Sequence, residues 1–179
     1  MAKRDNHYEA AFEAWLRARR LPYVAVDETR RSLLGGDESL KSLDFVVSPP
    51  GEGSWLVDVK GRRFPSGRRK QYWKNWSTRD ELLSLARWET LFGDKFAALL
   101  VFAYQVVDDR SPVAPPELFA FRGELYGFVA IRLEHYAANA RTLSPRWDTV
   151  TIPVARFRGL ATECGALFRP TTPAVAAGA

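Results

Sequence analysis

The sequence contains very few cysteine, methionine and histidine residues. It contains one cysteine, Cys164, one methionine and two histidines in 179 residues. A single cysteine excludes an intramolecular disulfide and a zinc site built from several cysteines. This cysteine usage is compatible with a reducing cytoplasm, which is the location that we expect.

Long apolar runs and common nucleotide-binding motifs are also missing. The longest strongly apolar run, residues 96–104, has nine residues, whereas a helix needs about 20 to cross a bilayer. The first residues are charged, so we expect neither secretion nor membrane insertion. No P-loop, dinucleotide-binding glycine pattern or serine nucleophile elbow occurs. With 46% hydrophobic residues and no repeat, residues 1–169 should form one domain, followed by a flexible tail, 170–179.

Acidic residues are absent from one stretch that contains much of the positive charge. Residues 60–74 include seven basic residues, so the rest of the chain is net −2 within a total of +5. Aromatic residues are interleaved with them. Basic side chains neutralise phosphates and aromatic faces stack on unpaired bases, so the segment predicts a nucleic-acid-binding surface made of Arg62, Arg63, Arg68, Arg69, Lys70, Lys74, Trp73 and Trp76. The alternative is a solvated loop that its aromatic residues hold on the core.

Residues 42–63 contain the pattern around which we expect the chain to be organised. Two β-branched apolar runs flank a centre rich in proline and glycine, which predicts a β-hairpin. In a hairpin symmetric about Gly51, facing residues have numbers that sum to 102, so Asp44 and Asp58 face each other. Facing like charges are destabilising, and a divalent cation such as Mg²⁺ would remove that penalty. Lys60 lies on the same strand face as Asp58. The alternative is two solvated acids at a strand end.

Helical and strand patterns surround the hairpin. Residues 6–20 predict an amphipathic helix, in which Glu9 borders the apolar stripe and Glu13 lies further toward solvent. Glu9 can point along the surface that this helix covers, or it can form a capping box with Asn6. The other predicted elements are a strand at 21–26, a loop at 27–41, a helix from Ser77 or Thr78 to Phe92, a buried strand at 96–104, a hairpin of 118–121 and 126–131, a helix at 134–141, a strand at 148–152 and a helix at 154–162.

This order of elements and acids resembles the PD-(D/E)XK nuclease superfamily, and within it the archaeal Holliday-junction-resolvase branch. The matching positions are Glu9 in the first helix, Asp44 at the start of the second strand, and Asp58-Val59-Lys60 on the third. Leu43 stands in place of the proline that names the motif. The resemblance covers residues 8–104 and gives no guide to the remainder.

The resemblance implies an α/β fold with a central mixed β-sheet flanked by helices, that is, a restriction-endonuclease-like core with a C-terminal β/α extension. It also implies a Mg²⁺-dependent endonuclease that hydrolyses phosphodiester bonds in DNA, including branched DNA, and that accepts Mn²⁺. Asp44 and Asp58 would hold the metal, with the Val59 backbone carbonyl as a further ligand and Glu9 acting on the same ion, directly or through water. Lys60 would orient or help deprotonate the attacking water and offset transition-state charge.

Two other functions stay open on the sequence alone. One is a nucleic-acid-binding module without catalysis on the same fold, and the other is an RNA-processing nuclease. The pair of facing acids with Lys60 favours an enzyme, because a binding module would not need that pair. The expected partner is nucleic acid, mainly DNA, and no membrane; the sequence leaves a homodimer open.

Overall fold

The computed structural model describes residues 6–27, 40–51 and 53–169. Most of the predicted loop at 27–41 and the predicted tail at 170–179 lie outside the described residues. The elements are α1 (His7–Ala18), β1 (Tyr23–Ala25), β2 (Phe45–Val47), β3 (Ser54–Phe64), β4 (Ser77–Thr78), α2 (Arg79–Phe92), β5 (Phe96–Val106), a 3₁₀ turn (Pro115–Glu117), β6 (Phe119–Phe121), β7 (Glu124–Arg132), α3 (Leu133–Asn139), β8 (Arg141–Ser144), β9 (Thr149–Thr151), α4 (Val154–Leu160), β10 (Thr162–Glu163) and α5 (Cys164–Leu167).

A central mixed β-sheet organises these elements. Its strand order is β1-β2-β3-β5-β7-β10, and β6 pairs with β7. Strands β3 and β5 run parallel, with α2 as the crossover between them, while the other neighbours are antiparallel. The predicted α/β fold with helices on a mixed sheet is confirmed.

Strand alternation sends the side chains of β3 to two different cores. Val57 and Val59 pack with the apolar stripe of α1, which includes Phe12. Leu56 packs on the opposite face, with residues of α2, α3 and α4. Successive side chains of a strand point to opposite faces, so Asp58 and Lys60 share the face of Leu56. The two charged residues therefore lie on the side of the sheet that α2 covers.

Strand β3 includes the start of the basic segment. It continues beyond Gly61, and its parallel register with β5 runs to Phe64 opposite Val106. The sequence predicts a hairpin within residues 42–63 but does not predict where its second strand ends. Gly61 permits the extension, because a Cβ at this position would overlap the Tyr8 ring of α1.

A small second sheet, in the order β4-β9-β8, joins two strands from the C-terminal part of the chain to β4, which precedes α2. The sequence predicts β9 but misses β8. Three of the four β8 residues are exposed, so no apolar alternation marks the strand. Buried Asn75 joins this sheet to the preceding loop, since its side chain donates to the Ile152 carbonyl at 3.0 Å and accepts from the Ile152 N–H at 2.8 Å. No helix among the described residues is long and apolar enough to span a membrane.

Candidate active site

The β2–β3 hairpin has the register that the sequence predicts. Phe45 pairs with Val57, and Val47 pairs with Trp55, so the paired residue numbers sum to 102. Gly51 takes a positive φ of 83° in the turn, a conformation that glycine adopts without steric cost. Strand β2 begins at Phe45, so Asp44 lies immediately before the strand that it was expected to open.

Asp44 is bound to β3 through both its backbone and its side chain. Its N–H donates to the Val57 carbonyl at 2.9 Å, and its Oδ2 accepts from the Val59 N–H at 2.6 Å. Asp44 is buried, with 5% of its surface exposed. Val59 directly follows Asp58, so this hydrogen bond holds the Asp44 carboxylate beside the peptide group that joins Asp58 to Val59.

The pairing of β3 with β2 ends near Asp44. Among the described residues, β2 pairs with β3 only as far as Val57, whereas β5 continues along the other edge. The N–H and C=O of one strand residue point to the same edge. Because the Val59 N–H points to Asp44, the Val59 carbonyl faces the edge that β2 no longer covers.

Lys60 connects two acids from different elements. Its Nζ lies 2.8 Å from Asp58 Oδ2 and 3.0 Å from Glu81 Oε1, and the residue is 9% exposed. Burial by itself lowers the pKa of Lys60, but the carboxylates of Asp58 and Glu81 outweigh burial and leave the pKa above its ordinary value. The amine is therefore an ammonium held in a buried ion-pair network.

Glu81 belongs to the first turn of α2 and was not singled out from the sequence. It forms a capping box with Thr78: the Glu81 N–H donates to Thr78 Oγ1 at 3.2 Å, and the Thr78 N–H donates to Glu81 Oε2 at 2.9 Å. Burial raises the pKa of Glu81, but the Lys60 ammonium and the Thr78 N–H lower it to about 2. The Thr-x-x-Glu spacing signals the capping box, yet nothing in that spacing signals the contact with Lys60.

The two glutamates of α1 have different surroundings. Glu9 is 8% exposed and lines the same pocket as Asp44 and Asp58. It also accepts from the side-chain amide of Asn6, the N-cap residue. Glu13 instead accepts from the Tyr23 hydroxyl at 2.9 Å and pairs with Arg17. Glu9 therefore lines the pocket and contacts the N-cap side chain, but the predicted capping box does not form, because the Asn6 side chain accepts from the Tyr8 N–H.

The pocket has a volume of about 600 Å³ and opens beside the uncovered edge of β3. Charged side chains from four parts of the chain line it: Glu9, Lys41, Asp44, Asp58, Lys60, Arg62 and Glu81. Within the described residues, no group of three or more histidine, cysteine, aspartate or glutamate side chains is placed to hold a metal ion. Asp44, Asp58 and Val59 all line this pocket, and Mg²⁺ takes carboxylate and carbonyl oxygens as ligands with water completing its shell.

The predicted nucleic-acid-binding residues fall into an exposed group and a packed group. The exposed members are Arg63, Arg68, Arg69 and Lys70. Lys70 pairs with Asp108 at 3.1 Å. Arg62 is partly buried at the pocket; its guanidinium donates to the Gly61 and Trp76 carbonyls and lies 4.0 Å above the Trp76 ring.

Each tryptophan of this segment is partly buried and has an arginine over its ring. Trp73 packs edge-on against Phe64 and Tyr104, with ring centroids 5.3 and 5.8 Å apart, and Arg158 lies 5.4 Å above its ring. Trp76 has Arg62 over its ring. Trp73 therefore packs against the core, as in the alternative of a segment held by its aromatic residues, and the base stacking of Trp73 and Trp76 stays a prediction.

No protein-family model and no curated protein matches this sequence. Among solved structures, the chain is similar to Hjc from Archaeoglobus fulgidus, a Holliday junction resolvase from an archaeal hyperthermophile, with a TM-score of 0.53 and 15% sequence identity. The alignment covers 91% of this chain and 98% of that chain. This likeness supports a restriction-endonuclease-like fold for the chain and extends well beyond residues 8–104, where the sequence resemblance ends.

Proposed function

We propose that the protein is a metal-dependent endonuclease that hydrolyses phosphodiester bonds in DNA. The observation that carries the proposal is that Asp44, Asp58 and Lys60 line one pocket beside the edge of β3 that β2 leaves uncovered. The hydrogen bond from Val59 to Asp44 and the ion pair from Lys60 to Asp58 bring these groups together. The fold that the chain shares with a resolvase is in keeping with this chemistry.

Asp44, Asp58 and the Val59 carbonyl would hold Mg²⁺ or Mn²⁺, and Glu9 would contribute through water. The donor chemistry fits, because oxygen ligands alone are offered and Mg²⁺ is commonly bound by one or two carboxylates with several waters. When bound, the ion would polarise the phosphate and lower the pKa of a coordinated water.

Lys60 supplies a fixed positive charge beside the reacting phosphate. An ammonium has three N–H donors, and Asp58 and Glu81 take two of them. The third can donate to a phosphate oxygen or to the attacking water. Because both neighbours are carboxylates, Lys60 acts by orienting water and by stabilising negative charge that develops on the phosphate.

The basic surface positions the nucleic acid, and the buried acids argue against binding alone. Exposed Arg63, Arg68 and Arg69 can neutralise backbone phosphates, which needs no particular base sequence. A module that only bound phosphates would gain nothing from a buried ammonium paired with two partly buried carboxylates, since desolvating charges is costly. We therefore favour catalysis over the binding module that the sequence left open.

The experiment is cleavage of end-labelled substrates in Mg²⁺, in Mn²⁺ and with chelator. The panel contains duplex DNA, a flap, a four-way junction, single-stranded DNA and RNA. We expect cleavage of at least one DNA in either metal and none with chelator. Binding to DNA without cleavage of any substrate would leave the binding module as the function, and cleavage of RNA alone would make the protein an RNA nuclease.

A further inference from the structure

We propose that the β8–β9 hairpin, residues 141–151, is a second nucleic-acid contact that stacks Trp147 on an unpaired base. The inference rests on the proposed function in taking DNA as the substrate. It adds the class of DNA, which is DNA with unpaired bases near the cleaved bond. This hairpin lies outside the basic segment that the sequence points to.

The exposed side chain of Trp147 is the main observation behind this proposal. It occupies the tip of the hairpin, between β8 and β9, and it is 68% exposed. Arg146 lies over the ring at 5.3 Å, which leaves most of the indole accessible. Trp73 and Trp76 are less accessible, since both are partly buried. An accessible aromatic face beside a guanidinium is the pattern that binds single-stranded nucleic acid through stacking and charge.

The hairpin is fixed to the helix that contributes to the candidate active site. Arg79, the first residue of α2, donates its N–H to the Asp148 carbonyl at 3.0 Å and its Nη2 to Thr142 Oγ1 at 2.7 Å. Its Nε also pairs with the Asp148 carboxylate at 3.2 Å. Glu81 follows two residues later in the same helical turn. Trp147 is therefore held by the helical turn that also supplies the partner of Lys60.

Positive charge around the hairpin favours a polyanion as its partner. Residues 139–158 contain four arginines and one acid, and that acid, Asp148, is paired with Arg79. Arg141 and Arg156 line a second cavity of about 610 Å³ at the base of the hairpin. Arg158 contacts Trp73 of the basic segment, so the two basic surfaces adjoin.

The test is fluorescence anisotropy with chelator present, so that binding is measured without cleavage. The probes are labelled single-stranded DNA, a gapped duplex and a blunt duplex of equal length. Trp147→Ala should weaken binding to the first two by about 5- to 150-fold, the range for one stacked base, and should change blunt-duplex binding by no more than about twofold. Trp147→Phe should restore most of the affinity. Leu83→Ala, which removes a side chain that is 70% exposed on α2, is the matched control and should change nothing.

The arginines give a second readout that is independent of stacking. Replacing Arg141 and Arg146 with alanine should make the slope of log K against log salt shallower by about 1.4 on single-stranded DNA, or about 0.7 for each phosphate contact. The control is Arg122→Ala, an exposed arginine that lies over Phe121 at the β6–β7 turn. This change should leave the slope unaltered.

Three outcomes would overturn the inference. The first is that Trp147→Ala binds all probes like the wild type. The second is that it loses equal affinity for blunt and unpaired DNA. The third is that it changes the sedimentation of the free protein, which would make the tip a self-association surface. The proposed function fails separately. If unpaired DNA binds through Trp147 but no metal supports cleavage, the nuclease is refuted and the hairpin contact stands. If the protein cleaves DNA but Trp147→Ala binds with unchanged affinity, the hairpin contact is refuted and the nuclease stands.

Discussion

Lys60 is the residue on which the account of the site depends most. It is the part of the basic run that is buried and contacts Asp58, whereas Arg68 and Arg69 are exposed. Its ammonium can contribute to binding as one positive charge among several. Its position beside the two acids suits it for a role in the chemical step that the exposed arginines cannot take.

Lys60→Ala should abolish most cleavage and leave nucleic-acid affinity nearly unchanged. Loss of one fixed charge at the developing negative charge typically costs about 10²–10³-fold in rate. Single-turnover cleavage and chelator-phase anisotropy measure the two quantities, and a circular dichroism melt checks that the fold persists. Lys95→Ala, an exposed lysine just before β5, serves as the control. If nucleic-acid affinity falls in parallel with the cleavage rate, Lys60 only binds phosphate and takes no part in the chemical step.

Glu81→Gln should destabilise the metal-free protein in a pH-dependent way. Gln can keep the capping box, but it removes the charge that pairs with Lys60, at a cost of about 1–3 kcal/mol near neutral pH. The folded pKa of about 2 is below the ordinary value of 4.5, so the stability contributed by Glu81 is complete above pH 4.5 and is lost as pH falls toward 2.

Urea unfolding of wild type and Glu81→Gln at pH 7, 5, 4 and 3.5 measures this difference. The gap in unfolding free energy should be largest at pH 7 and should narrow below pH 4.5. A gap that is constant across this range would mean that Glu81 contributes through packing and capping and not through its charge.

Glu9 and Glu13 allow a matched pair of isosteric changes on one helix. Glu9→Gln should reduce cleavage by about tenfold or more, because Glu9 lines the pocket. Glu13→Gln should have little effect on cleavage, since Glu13 bonds to Tyr23 and Arg17. Cleavage rates and melting temperatures of both variants decide between them. Normal cleavage by Glu9→Gln with a dead Glu13→Gln would move the site to the next turn of α1.

Local periodicity explains which residues of the site could be predicted. Alternation along β3 and the symmetric turn at Gly51 put Asp44 close to Asp58, and a helical projection distinguishes Glu9 from Glu13. Glu81 could not be found in this way, because its contact with Lys60 depends on how α2 crosses the sheet. The sequence also does not predict that Asp44 lies just outside β2 and not within it.

At the scale of elements, β3 and its flanking segment connect the pocket to the exposed basic surface. The strand continues through Arg62 and Arg63 before the chain turns at residues 67–70. This continuity places Arg62 at the pocket and Arg68 and Arg69 farther along the same path. The sequence does not predict where β3 ends, because glycine and arginine are not strand-forming signals. The close packing of Tyr8 on Gly61 belongs to the structure alone.

Replacing Arg68, Arg69 and Lys70 with alanine should weaken DNA binding mainly by removing charge. For duplex DNA the slope of log K against log salt should become shallower by about 2 units, at about 0.9 for each phosphate contact. Lys70 should contribute less than the arginines, because Asp108 already pairs with it. Anisotropy titrations at several salt concentrations give the slope, with Lys95→Ala as the control. An unchanged slope would place duplex DNA on another surface.

In the whole molecule, one sheet separates two cores, and a charged pocket lies beside β3 where its pairing with β2 stops. The mixed sheet and its helices could be predicted, because α1, α2 and β5 carry clear apolar patterns. The three-stranded sheet β4-β9-β8 could not, since β4 is two residues long and β8 is mostly exposed. That sheet forms through long-range contacts, notably those of Asn75 and Arg79, which no local pattern reveals.

Under the proposed function, this pocket hydrolyses phosphodiester bonds with a metal that Asp44 and Asp58 would hold. Nicking of supercoiled plasmid by wild type, Asp44→Asn and Asp58→Asn in Mg²⁺ tests it most directly. We predict nicking by the wild type that chelator stops, and a loss of about 10²-fold or more in both variants while DNA binding in chelator is retained. Nicking by either variant at the wild-type rate, with Mg²⁺ still required, would contradict the account.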